Sequence, residues 1–248
     1  MDRKNELAEF FGSSFTKEYL KCSDYLVRHS VTGISASCEL LRETLEKSGS
    51  REGGELIDSI LTMCCDLMRN AELSSVLASG SLAAEELVSV RADIFLKELA
   101  AKCEAAADGK CSITVKSVPE AYIRTDRETL RFLILGFVRK QMLLADGEKT
   151  ELEIECEAAL KTLNISVRSL RTFVDGGNSG IPDVFSEYTD EMISGLAERI
   201  SASAVSGEDS LTVEIPLTGS SGTAIAEAPP AELQEGFFNP FNLMLRDI

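Results

Sequence analysis

A chain of 248 residues with 44% apolar side chains can fill one large hydrophobic core or two modest ones. Its net charge of −16 repels phosphate backbones and anionic lipid headgroups, which sets nucleic acid and membrane surfaces aside as partners. Nothing approaches the roughly 18 consecutive apolar residues of a membrane span, and the opening MDRKNELAEFFGSSF lacks a signal-peptide core, so the expected location is cytoplasmic.

In chain order, Leu20, Val27, Val31, Ile34, Cys38, Leu41 and Leu45 are spaced by three, four or seven residues, a heptad seam on one long helix. KSGSREGG, residues 47–54, supplies glycines and serines that should end this helix and turn the chain. A second helix is predicted from near Glu55. Leu56, Ile60, Met63 and Leu67 form one stripe along it, and Ile57, Leu61, Cys64 and Met68 form another beside the first. One partner helix cannot cover both stripes, so the economical assembly is a homodimer whose two hairpins make a four-helix bundle.

The period then changes. ELVSVRA and CSITVKSV read as strands, with a helix between them that starts at Asp93 and has Gly109 past its end. A short strand AYIRT, a helix from Asp126 to about Leu144 and a hairpin TELEIECEAALKTLNISVRSL follow. Beyond VDGGNSGIPDVF, a helix is expected around DEMISGLAERISASA and a last strand in SLTVEIPL, closing near residue 217. The fold class is α+β: the N-terminal hairpin of residues 1–80, then an α/β sandwich over 85–217 with helices on one sheet face. Residues 218–248 form a linker and an apolar tail. In that tail Phe237, Phe238, Phe241, Leu243, Met244 and Leu245 should anchor onto a groove of this chain or of a partner.

Cys22, Cys38, Cys64, Cys65, Cys103, Cys111 and Cys156 follow no zinc spacing, and their odd number argues against a closed disulfide framework, leaving reduced core thiols as the reading. No metal site is expected. The only histidine is His29, so any triad or metal site is limited to what His29 could join, and no GxSxG elbow precedes it. On an ideal helix advancing about 100° per residue, His29 lies roughly 160° from Val27 and Val31, so it points away from the seam. Gly33, one turn on, leaves the approach to the imidazole clear.

RHSVTGISASCELL resembles the histidine box of sensor histidine kinases. DIFLKELAAKC, VPEAYIRTDRETLRFLILGFV and the closing SLTVEIPL are similar to the beginning, middle and end of their GHKL-type ATP-binding domain, in the same order across residues 15–217. The resemblance implies that His29 is a phosphoacceptor, with Arg28 and Thr32 as candidate supports for a phosphoryl oxygen. It also exposes departures. Counting from Asp126, with Leu130 in place, the positions of the family's phosphate- and Mg²⁺-binding asparagines hold Gly136 and Lys140. Glycine has no ligand atom and an ammonium has no lone pair, although lysine can hold a phosphate directly. The family's adenine-gripping turn has only a stretched echo in Asp175, Gly177 and Gly180, and too few residues follow Gly195 for a glycine-rich lid. The acid that usually follows the histidine is Ser30, too weak an acid to serve as a general base. ATP and Mg²⁺ binding are therefore not expected. What remains is a dimeric histidine phosphotransferase that exchanges phosphate with the aspartate of a response-regulator receiver domain. The alternatives are a divergent ATP-dependent sensor histidine kinase and a non-catalytic pseudokinase that only holds a partner.

Overall fold

In the computed structural model, which describes residues 14–48, 51–78, 87–171, 190–217 and 239–245, the heptad pattern becomes two long helices. Helix α1 spans Ser14–Ser48 and α2 spans Arg51–Ala78. Ion pairs fix their antiparallel register: Arg28 meets Glu72 near one end and Arg42 meets Asp58 near the other, at 2.6 and 2.5 Å. Val31, Ser35 and Cys38 are buried on α1, as are Ile57, Leu61, Cys64 and Met68 on α2. Ile34 and Leu41, read from the sequence as seam residues, are exposed. The inward face of α1 includes Arg28, Ser35 and Arg42, and polar residues on a seam are invisible to a pattern built on hydrophobicity alone. The hairpin covers only one of the two stripes of α2: in the other, Leu56, Met63 and Leu67 are each more than half exposed. Helix α2 begins before Glu55, at Arg51, and takes Gly53 and Gly54 into its first turn.

Backbone proximity divides the chain into residues 1–80 and 81–246. The second unit runs β1 (Val88–Arg91), α3 (Ala92–Ala106), β2 (Cys111–Val115), β3 (Tyr122–Thr125), α4 (Arg127–Leu144), β4 (Thr150–Ala158), β5 (Thr162–Ser169), α5 (Asp190–Arg199), β6 (Ser203–Ser206), β7 (Ser210–Pro216) and α6 (Pro240–Leu245). Five strands form a mixed sheet in the order β2-β4-β5-β7-β6, in which only β2 and β4 run parallel. Strands β1 and β3 pair separately, and one bridge, Ile123 to Leu217, joins them to the end of β7. Alternation divides the large sheet. Leu152, Ile154 and Cys156, Leu163, Ile165 and Val167, and Leu211, Val213 and Ile215 are buried, while Glu151, Glu153 and Glu155 occupy the intervening positions. Helices α3, α4 and α5 lie against this sheet, adjoining β2, β4 and β6 respectively.

The parallel pair is delivered by one device used twice. Helix α3 ends in Ala107-Asp108-Gly109 and α4 in Ala145-Asp146-Gly147, and in each the Asp and Gly are left-handed, with φ of 47° and 83° in the first and 46° and 84° in the second. Asp tolerates this region and Gly occupies it without steric cost. The matched turns feed β2 and β4 side by side, and Thr150 N–H donates to the Lys110 carbonyl at 2.9 Å.

One element of the second unit departs from the sequence reading, and the tail finds its groove. The helix expected to run through ISASA stops at Arg199, Ser201 is left-handed at φ 56°, and Ser203–Ser206 pairs with β7 as an edge strand. SAVS carries little strand propensity; the pairing partner supplies what the local sequence does not. Helix α4 is buried on nearly every side, because α6 also packs on it and on α3. Phe241, Leu243, Met244 and Leu245 are buried there, Arg139 donates to the Met244 carbonyl, and the cations of Lys102 and Arg131 lie 6.0 and 5.8 Å from the centre of the Phe241 ring. The groove for the tail is thus in this chain. Phe237 and Phe238 lie outside the described residues. No described helix is long and apolar enough to cross a membrane.

Candidate functional site

Helix α1 places His29 on its exposed side, as the rotation from Val27 and Val31 requires. Tyr25, one turn earlier, stacks on it with ring centroids 6.0 Å apart and planes 3° from parallel. Ser30 and Gly33 are also exposed, and a Cβ added at Gly33 would meet nothing within 4 Å. The side of the helix carrying the imidazole is open.

The residues flanking His29 are tied into the hairpin. Arg28 Nε donates to both carboxylate oxygens of Asp24, at 2.9 and 2.8 Å, and its Nη1 donates to Glu72 Oε1 across the seam at 2.6 Å. The hydrogen bond to Glu72, with Asp24 adding to it against partial desolvation, holds the guanidinium even more firmly protonated than usual. Arg28 therefore fixes the turn that bears His29, and its fork is directed at carboxylates of its own chain. Thr32 is exposed, and its hydroxyl donates to the Arg28 carbonyl at 2.7 Å. Asp24 and Tyr25 were absent from the sequence reading although both pairs follow the i, i+4 rule; Glu72 could be found only once the hairpin register was known.

In the second unit, Asp126 caps α4, accepting from Thr129 N–H at 2.8 Å and from the Thr129 hydroxyl at 2.6 Å. Arg199 Nε of α5 donates to the same hydroxyl oxygen at 3.1 Å. Gly136 is buried two turns further along α4, and Lys140 is partly exposed. Asp175, Gly177 and Gly180 lie outside the described residues. Among the described residues, no three His, Cys, Asp or Glu side chains gather closely enough to hold a metal ion.

No family model matches the chain, and no curated protein matches its sequence. Solved structures do. Full-length ShkA in complex with AMPPNP is similar with a TM-score of 0.54 and 15% identity, over 86% of this chain and 47% of that one. This chain thus spans about half the length of ShkA. The histidine kinase AdeS of Acinetobacter baumannii gives a TM-score of 0.48 at 9% identity, over 77% of this chain and 98% of its own. The histidine kinase ThkA in complex with response regulator protein TrrA gives 0.47 at 14% identity, over 87% of this chain and 64% of its own. The likeness is one of fold: a helical hairpin followed by an α/β sandwich.

Proposed function

We propose that this chain, with the fold of a histidine kinase core, is a dimeric histidine phosphotransferase that carries phosphate on His29 to or from receiver-domain aspartates. One observation carries the reading. The imidazole stands exposed on the hairpin, while the helix that would hold nucleotide phosphates presents Gly136 and Lys140.

The chemistry asks little of this chain. The unprotonated nitrogen of a neutral imidazole gives its lone pair to the phosphorus of an aspartyl phosphate. The P–O bond to the acyl oxygen breaks, the bonding pair leaves on the carboxylate, and the ring keeps the proton on its other nitrogen. The reverse step regenerates the aspartyl phosphate. Mg²⁺ and the cation that neutralise the transferring group belong to the receiver. This chain contributes an accessible nucleophile, a backbone turn held by Arg28 between Asp24 and Glu72, and a docking face.

The donor set of α4 does not suit Mg·ATP. Gly136 offers no atom to a cation, Lys140 repels one, and the Thr129 hydroxyl is engaged by Asp126 and Arg199. With Ser30 where a general base would stand, the parts of the ATP reaction are missing while the acceptor is kept. Dimerisation is supported by Leu56, Met63 and Leu67 on α2 and by Ile34 and Leu41 on α1, apolar side chains that a single hairpin leaves in water.

Incubating the protein with a receiver domain phosphorylated on its aspartate tests the proposal. Label should appear on the wild-type protein and be absent from His29→Gln. Equal labelling of both proteins would refute it, and labelling from Mg·ATP alone would make the chain a kinase instead.

A further inference from the structure

We propose that Tyr25 is the positioning residue of His29, setting the orientation of the imidazole by ring stacking so that its nitrogen lone pair is presented to an incoming phosphoryl group. This rests on the reading of His29 as the phosphoacceptor. An exposed histidine on a helix rotates freely about its two side-chain torsions, but transfer requires the lone pair, which lies in the ring plane, to point at phosphorus in line with the leaving oxygen. A ring stacked parallel to the imidazole restrains its tilt while lying outside its plane. The Tyr25 ring lies parallel to the imidazole, with planes 3° apart and centroids separated by 6.0 Å, the geometry of a strongly offset stack.

The surroundings favour an orienting role over a packing one. Tyr25 is 66% exposed, so its phenyl ring buries little against the hairpin, and the imidazole is the aromatic partner it meets. The turn carrying both rings is itself anchored. Asp24, next to Tyr25, and Arg28, next to His29, are bonded to each other, and Arg28 is bonded onward to Glu72. Stacking on a fixed turn limits the tilt of the nucleophile.

The test uses the full chain and two substitutions, Tyr25→Ala and Tyr25→Phe, both at an exposed position whose folding is checked by circular dichroism. Because His29 is the only histidine, its Hε1 proton gives a single imidazole line in the NMR spectrum. That line should sit at the same position in the wild type and in Tyr25→Phe and shift in Tyr25→Ala, where the neighbouring ring is lost. The rate of labelling by a receiver domain charged with acetyl phosphate should fall about 2- to 10-fold in Tyr25→Ala and be retained in Tyr25→Phe. An unmoved Hε1 line in Tyr25→Ala, or wild-type labelling rates in that variant, overturns the positioning role while leaving the phosphoacceptor standing. An unlabelled wild type whose Hε1 line still responds to Tyr25→Ala overturns the phosphoacceptor reading, and the positioning role with it.

Discussion

The cysteines separate by burial. Cys22 is exposed, whereas Cys103, Cys111 and Cys156 are buried. Burial pushes the Cys111 and Cys156 thiols up to about 12 and raises Cys103 well above its ordinary value. Nucleophilic thiolate is therefore scarce at these three positions near neutral pH. A maleimide at pH about 8 should modify Cys22 in the folded protein and reach Cys103, Cys111 and Cys156 only after denaturation; mass spectrometry of digests reads the pattern. The same shift has a thermodynamic sign. These acids bind protons more tightly folded than unfolded, so their contribution is fully present below the ordinary value of 9.0 and is lost as pH rises toward about 12. Stability should fall over that alkaline window, and Cys111→Ala with Cys156→Ala should flatten the fall in denaturant titrations. The direction of His29 was legible residue by residue from helical rotation. The partner of Arg28 was not, because Glu72 comes within reach only across the hairpin.

Helix α4 and its cover make the next level. Phe241 is buried between α3 and α4 and flanked by Lys102 and Arg131. Phe241→Ala should lower the stability of the second unit by about 3 kcal/mol, read as a shifted urea midpoint with unchanged slope. Removing residues 232–248 should go further and make the α3–α4 groove bind a hydrophobic dye. The hairpin supplies a second test. Charge at the exposed stripe, as in Met63→Asp with Leu67→Asp, should convert the proposed dimer to a monomer in sedimentation while keeping its helix content; an unaltered sedimentation coefficient would place the dimer contact elsewhere. Elements with strong periodicity and a cap were readable: α1 and α2, α4 behind its Asp126 cap, and the alternating β4, β5 and β7. Strand β6 was not, since SAVS becomes a strand through pairing with β7. The tail was legible only as apolar surface in need of cover. That its groove is the second side of α4 follows from tertiary packing.

At the scale of the whole molecule, each unit has its own apolar core, and the proposed function puts the acceptor in the first. About 1 mM Mg·ATP should leave the thermal midpoint of the second unit unchanged. A site with a dissociation constant of about 0.1 mM would instead add about 1.4 kcal/mol, a shift of several degrees. Fold was more legible than function because hydrophobic period and capping residues specify architecture directly. Site chemistry had to be inferred from what stands at individual positions such as Ser30, Gly136 and Lys140. The seal over α4 also bears on how the unit assembles. The Arg139–Met244 contact joins residues 105 apart in sequence, so its loop-closure entropy is high and is repaid only after the sheet has already drawn the chain together. The helix that finishes this core is then the last to dock, and in pulse-labelled refolding the amides of β4, β5 and β7 should gain protection from exchange before those of α6.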